Sequence, residues 1–189
     1  MVNERIIISG FGGQGVMTIG KLLASAGMME QRHVSWLPSY GPEMRGGTAN
    51  CHVIISDEQI GAPVVTEASC VVAMNLPSLE KFEHVLKAGA LLLLNSSLID
   101  KQPVREDIQA ISVPVNDIAN RQGNLKVANL VMLGAYLACS HAVQESIILQ
   151  ALDNLLGSKK RHLLDINISA LHEGMKFVAS AETALSSCS

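Results

Sequence analysis

Arg5-Ile6-Ile7-Ile8-Ser9-Gly10-Phe11-Gly12-Gly13-Gln14-Gly15-Val16 decides the fold. Three consecutive isoleucines read as a short strand over residues 5–9, buried on both faces as in the middle of a parallel sheet. Residues 16–29 then carry apolar side chains at helical spacing (Val16, Ile19, Leu22, Leu23, Ala26) with no internal proline, which predicts a crossover helix. Between them, Gly10 to Gly15 satisfies the G-x-G-x-x-G template in the setting it requires, a strand before and a helix after. Glycines let the backbone approach a ligand without Cβ obstruction, and the unpaired N–H groups at the positive end of the helix favour anionic oxygens. A phosphate or pyrophosphate fits such a loop. The same glycines also suit a tight strand-to-helix turn that holds no ligand.

Outward from this unit, residues 33–37 read as a second strand. An irregular loop follows at 38–47, where two prolines and three glycines argue against regular structure. Residues 49–56 and 70–74 are apolar and strand-like, and Pro77 suits the first turn of a helix reaching about Lys87, with Gly89 as its C-cap before a strand at 90–94. A last strand is expected at 111–115, then helices at 116–122, 129–139, 144–156 and 164–179. The fold class is α/β: a Rossmann-like, largely parallel sheet with helices on both faces and a helical C-terminal third, in one domain over residues 1–181 with a disordered tail at 182–189. In such sheets ligands bind at the carboxyl ends of the strands, so the loops after strands one and two come first.

The 189 residues allow one domain with a proper core. With 48% hydrophobic and only 16% charged residues, some surface is expected to be covered by other subunits. A net charge of -3, without a basic block, argues against a nucleic-acid partner. The most apolar stretch, 127–143, is interrupted by Asn129, Ser140 and His141 and reads as a buried helix, so no membrane partner is expected. Met1 to Glu4 lacks the basic and apolar regions of a signal peptide, which predicts a cytoplasmic protein. Cys51, Cys70, Cys139 and Cys188 form no C-x-x-C pair and the six histidines lack ligand spacing, so no disulfide framework, cluster or metal site is indicated.

A nicotinamide or flavin site should place an acid at the end of strand two to hold ribose hydroxyls. Here that place reads Trp36-Leu37-Pro38-Ser39, and the nearest acids are Glu30 and Glu43. The dinucleotide reading thus loses its second support. Pro38-Ser39-Tyr40-Gly41-Pro42-Glu43-Met44-Arg45-Gly46-Gly47 sets one acid, one base and one ring among backbone-special residues. Arg45 offers forked donors to a phosphate or carboxylate with Glu43 orienting it; equally, the two make a surface ion pair worth under about 1 kcal/mol. Phe11, Trp36 and Tyr40, half of the chain's six aromatics, fall in or beside these loops and could stack on a ligand ring or on a partner. Ser39, His52 and Asp57 are not assembled into a triad by spacing, and no catalytic residue is assigned.

Gly10 to Val16, the Pro38–Gly47 loop with its continuation Thr48-Ala49-Asn50-Cys51, Met74-Asn75, Asn95-Ser96-Ser97, and Asn129 with Leu133-Gly134-Ala135 together resemble the gamma subunit of 2-oxoacid:ferredoxin oxidoreductases over nearly the whole chain. The 40–47 wording is closer to the 2-oxoglutarate and branched-chain members than to the pyruvate members. The resemblance implies a complex that oxidatively decarboxylates a 2-oxoacid on thiamine diphosphate, passes electrons through iron-sulfur clusters to ferredoxin and forms an acyl-CoA. It also implies that thiamine diphosphate, Mg and the clusters sit in partner subunits and that this chain is inactive alone. By the same resemblance this chain lies beside coenzyme A, with Gly10, Phe11, Gly12, Gly13, Gln14, Gly15, Ser39, Tyr40, Gly41, Glu43, Arg45, Gly46, Gly47 and Asn75 as the candidate contacts. Two alternatives stay open: a dinucleotide-binding oxidoreductase module, and a structural subunit that touches no ligand.

Overall fold

The computed structural model describes residues 1–40 and 48–186. The isoleucine run lies in β1 (Asn3–Phe11), followed by α1 (Val16–Met29), β2 (His33–Tyr40), β3 (Thr48–Ser56), β4 (Ala68–Ala73), α2 (Leu76–Phe82), β5 (Leu86–Asn95), β6 (Gln109–Val113), α3 (Val115–Arg121), α4 (Ala128–Cys139), α5 (Glu145–Lys160) and α6 (Leu164–Ser186). The strands form one sheet in the order β2-β3-β1-β4-β5-β6. β1, β4, β5 and β6 run parallel to one another, while β3 is antiparallel to both of its neighbours. The 41–47 connection is too short for the crossover of about a dozen residues that a parallel neighbour needs, so β2 and β3 must pair antiparallel.

Alternation along β1 explains its unbroken apolar run. Ile6 and Ile8 enter the larger core with Val53, Ile55, Val72 and Leu93, under α1, α3, α4, α5 and α6. Ile7 points the other way, into a smaller core with Ile54, Val71, Leu92 and Leu94 that Leu79 and Phe82 of α2 cover. The central strands are buried on both faces, as expected, but among the described residues five α-helices cover one face and the short α2 the other.

In the thick layer, α4 and α6 cross through glycines on both sides. A Cβ at Gly134 would collide with the Leu171 carbonyl oxygen, and one at Gly174 with the Val131 carbonyl oxygen. The two backbones therefore touch, and α4 is held close enough to the sheet to bury Leu130, Val131, Leu133 and Tyr136.

Some expectations need correction. Pro38, Ser39 and Tyr40 are not loop but the end of β2, opposite Cys51, Asn50 and Ala49. β2 is an edge strand, where a proline turned outward costs no ladder bond. The helix expected to reach Lys87 ends at Phe82, after a further 3-10 turn at Glu83–Val85, and Gly89 lies inside β5 with φ 73 instead of capping it. Leu86 pairs with Ala68 but Leu91 with Cys70, so Gly89 sits in a bulge, and its N–H donates to the Asp107 carbonyl at 2.7 Å. A positive-φ glycine serves a helix cap and a strand bulge equally well, and sequence alone does not separate them. The last strand ends at Val113 because Pro114 starts α3. At the far end, α6 continues to Ser186.

Gly134→Ala forces a methyl group between two packed backbones, and overpacking of this kind costs about 3 kcal/mol. Thermal unfolding should show a midpoint lower by several degrees, whereas Gly61→Ala, which meets open space, should leave it unchanged.

Candidate functional site

β1 gives way to α1 through a four-residue turn at the carboxyl edge of the sheet. The Gln14 N–H donates to the Phe11 carbonyl at 3.1 Å, and the Gly15 carbonyl accepts from Thr18 and Ile19 at 3.0 and 3.1 Å. Gly13 and Gly15 have φ of 98 and 75, values that L side chains rarely adopt, so the turn requires glycine at both places. No side chain caps α1 and no acid stands in its first turn. Its leading N–H groups and positive end are therefore available to an anion.

Gln14 fixes this turn to the rest of the sheet. Its Oε1 accepts from the Phe11 N–H at 2.6 Å and from Asn75 Nδ2 at 3.2 Å, and its Nε2 donates to the Met74 carbonyl at 3.1 Å. Asn75, buried at the end of β4, caps α2 by accepting from the Ser78 N–H at 3.0 Å and from Ser78 Oγ at 2.7 Å. Ser78 Oγ in turn meets Ser9 Oγ at 2.8 Å. Asn95 continues the line, donating to the Met74 carbonyl at 3.2 Å and to Asn116 Oδ1 at 3.1 Å. Hydrogen-bonded amides and hydroxyls thus link the carboxyl ends of β1, β4 and β5. Gly10 belongs to this arrangement: a Cβ there would lie 2.7 Å from Gln14 Oε1 and 2.9 Å from Met74 Cβ.

The structure brings Gly10, Phe11, Gly12, Gly13, Gln14, Gly15 and Asn75 together at this edge. Phe11, Gly12 and Gly13 are exposed. Ser39 lies two strands away, paired with Asn50, which itself pairs with Ser9; Tyr40 ends β2 beside Ala49. Phe11 pairs with Thr48, so one described end of the second loop adjoins the glycine turn, while Tyr40 lies across β3 from it. Gly41, Glu43, Arg45, Gly46 and Gly47 lie outside the described residues. Trp36 faces α1 instead, where the missing Cβ of Gly20 admits its ring edge and the Cys51 thiol. Burial pushes that thiol up to about 11, offset in part by Trp36, so it stays protonated at neutral pH.

Ser39, His52 and Asp57 do not converge. His52 Nδ1 accepts from the Val65 N–H at 3.0 Å, and burial, followed by the Lys81 charge, lowers the pKa of its ring. Asp57, at the opposite end of β3, accepts from the Val2 N–H at 2.6 Å and pairs with Arg32 at 3.7 Å. Among the described residues no three His, Cys, Asp or Glu side chains are placed to hold a metal ion, and no helix is long and apolar enough to cross a membrane.

Sequence reading used Asn129 as part of the family resemblance but did not place it among the candidate contacts. It stands in the first turn of α4, and its side chain fills the space left by the absent Cβ of Gly15. A cleft of about 130 Å³ opens there, lined by Gly13, Gln14, Met74, Asn116, Lys126 and Asn129. A lone polar residue in an apolar helical run was the available signal.

Fold and turn define a Rossmann-like domain whose glycine loop offers a helix N-terminus to an anion. The chain belongs to the pyruvate ferredoxin/flavodoxin oxidoreductase family, whose model matches residues 5–177. It is 39% identical over 90% of its length to the ketoisovalerate oxidoreductase subunit VorA of Methanothermobacter marburgensis, but covers 35% of that protein. The chain spans about a third of the length of the first curated relatives it matches. The 2-oxoglutarate synthase subunit KorC of Methanocaldococcus jannaschii is 34% identical over 86% of this chain and 90% of that subunit. Among solved structures, the gamma subunit of a keto/oxoacid ferredoxin oxidoreductase from Geobacter sulfurreducens matches with TM-score 0.80 and 28% identity, covering 94% of this chain and 99% of that one. The 2-oxoglutarate:ferredoxin oxidoreductase of Magnetococcus marinus, solved with 2-oxoglutarate, coenzyme A and succinyl-CoA bound, shares the fold at TM-score 0.87 and 22% identity, over 95% of this chain and 32% of that one.

Gln14→Glu tests the tie between turn and sheet. The acid keeps an acceptor for the Phe11 N–H but sets a second oxygen against the Met74 carbonyl, so the folded state favours its protonated form. The folded chain then binds more protons than the unfolded one, and stability falls as pH rises above the ordinary glutamate range near about 4.3. Chemical denaturation should place Gln14→Glu close to the parent at pH 4 and about 1 kcal/mol below it at pH 7. Gln14→Ala should lose a similar amount at both.

Proposed function

We propose that this chain is the gamma-type subunit of a multi-subunit 2-oxoacid:ferredoxin oxidoreductase, and that its glycine turn cradles phosphates of coenzyme A. The observation that carries the reading is the uncapped α1 N-terminus, free of acids, behind an exposed glycine turn. Gly13 faces open space, so a phosphate can approach the backbone with no side chain in its way. Coenzyme A needs no carboxylate at the end of strand two, and β2 ends there in Ser39 and Tyr40. Gly10, Phe11, Gly12, Gly13, Gln14 and Gly15 form the cradle. Gln14 and Asn75 hold its shape, and Ser39, Tyr40, Gly41, Glu43, Arg45, Gly46 and Gly47 complete the contacts with the ligand or with a neighbouring subunit. When bound, coenzyme A supplies the thiol that takes up the acyl group. Partner subunits carry thiamine diphosphate, Mg and the iron-sulfur clusters, and the complex delivers electrons to ferredoxin or a similar acceptor in the cytoplasm.

The acid we favour is 2-oxoglutarate, because a relative of that name aligns over nine-tenths of its own length. A branched-chain 2-oxoacid is the second reading, favoured by the higher identity to a ketoisovalerate relative. The groove between α1 and α5 sets Met28, Met29, Ala151 and Leu155 beside Lys21, Ser25 and Asn154, a mixed surface with exposed methionines of the kind that a neighbouring subunit covers.

A tagged copy purified from its native host should bring partner chains with it and reduce viologen in a coenzyme-A-dependent reaction with one of 2-oxoglutarate, branched-chain 2-oxoacids or pyruvate. A chain that came away alone and bound a dinucleotide would overturn the reading. Gly13→Asp and Gly13→Asn have equal size and differ in charge. If the turn holds phosphate, Asp should raise the KM for coenzyme A at least about tenfold above Asn, corresponding to about 1.4 kcal/mol of lost binding.

A further inference from the structure

Asn129 has the environment of a side chain that waits for a donor. It is 6% exposed, and its Oδ1 is a buried side-chain atom without a hydrogen-bond partner among the described residues. Buried polar atoms are paired in nearly all folded proteins, because an unmet acceptor loses its water and gains nothing. The position is also built with some care. A Cβ at Gly15 would come within 2.6 to 2.8 Å of the Asn129 Nδ2, Cγ and Cβ atoms, so the glycine that starts α1 is also what admits the amide.

The Oδ1 is closed to solvent, so a ligand group meets it only after the amide turns towards the cleft that Asn129 lines, and the surroundings say what kind of group that would be. The N-termini of α1 and α4 come together here, neither has an acid in its first turn, and Lys126 stands on the wall of the cleft. That field draws an anion towards the glycine turn. The Oδ1 itself carries partial negative charge and repels an anion, so the group against it is a hydroxyl or amine hydrogen. At about 130 Å³ the cleft is smaller than the several hundred Å³ of a site that encloses a whole ligand. One group enters it while the rest of the molecule lies outside.

We propose that Asn129 reads a neutral hydrogen-bond donor of the ligand, in the cleft beside the phosphate held by the glycine turn; the proposal rests on the coenzyme A reading given above. Coenzyme A carries such donors next to its phosphates on the ribose, on the adenine and on the pantetheine arm. Asn129 is therefore a specificity residue that separates a phosphate ester with a neighbouring donor from bare phosphate.

Calorimetric titration of coenzyme A, at several salt concentrations, into the complex that the tagged chain brings down tests this. Asn129→Ala should weaken binding about tenfold. The dependence of affinity on salt should not change, since a neutral hydrogen bond is lost, and the ligand-free melting midpoint should hold or rise. Lys126→Ala should instead flatten the salt dependence. Inorganic phosphate should bind the parent and Asn129→Ala alike. Unchanged coenzyme A affinity in Asn129→Ala would mean that the amide meets water only and would overturn the proposal. So would weaker binding accompanied by a lower midpoint, which marks a structural role. If the parent complex showed no saturable binding of coenzyme A, the coenzyme A reading and this extension would fall together; binding that Asn129→Ala leaves intact would remove the extension alone.

Discussion

A chain that leaves a strand and enters a helix within four residues must hold that turn without the ladder bonds of either element, and here the Gln14 carboxamide does so. Its oxygen engages the Phe11 N–H and its nitrogen the Met74 carbonyl, so one side chain ties β1 to β4. The same oxygen meets Asn75, which caps α2, and the cap reaches Ser9 through Ser78. The shape of the glycine turn, the start of α2 and the alignment of two central strands thus form one hydrogen-bonded unit. No side chain caps the head of α1, and the turn keeps its shape without such a cap because Gln14 positions it.

The C-terminal helices supply the other wall. The contact of Gly134 and Gly174 lets α4 lie deep in the thick layer. Its first turn then arrives behind Gly15, with Asn129 in contact and Lys126 on the cleft wall. A helix that looks purely structural in the sequence therefore shapes the candidate site, and its depth is set about one and a half turns after Asn129 by a residue without a side chain.

Much of this was legible in the residues. Ile6-Ile7-Ile8 declared a doubly covered strand, and the apolar spacing from Val16 declared the helix behind the turn, because burial on two faces and on one stripe leave different periods. The glycine turn could be placed because its flanks were unambiguous. What escaped were features fixed by partners distant in sequence. Pro38 reads as a loop residue until β2 is known to be an edge, and Gly89 reads as a helix cap until Leu86 is seen to pair with Ala68. Gln14 was read as a candidate ligand contact, and its work of holding the turn escaped because its partners, Met74 and Asn75, lie some sixty residues away. Asn129 was visible as an anomaly in an apolar run, but only its contact with Gly15 gives it a place in the site.

Pro38 also bears on how this protein meets its own copies. β2 is the outer strand on one side of the sheet, and an outer strand normally offers a row of donors and acceptors on which another chain can extend the sheet. A proline in such a row has no hydrogen to give and thrusts its ring where an added strand would lie. An added strand would lose a ladder bond at Pro38, so edge-to-edge growth of the sheet is disfavoured at that position.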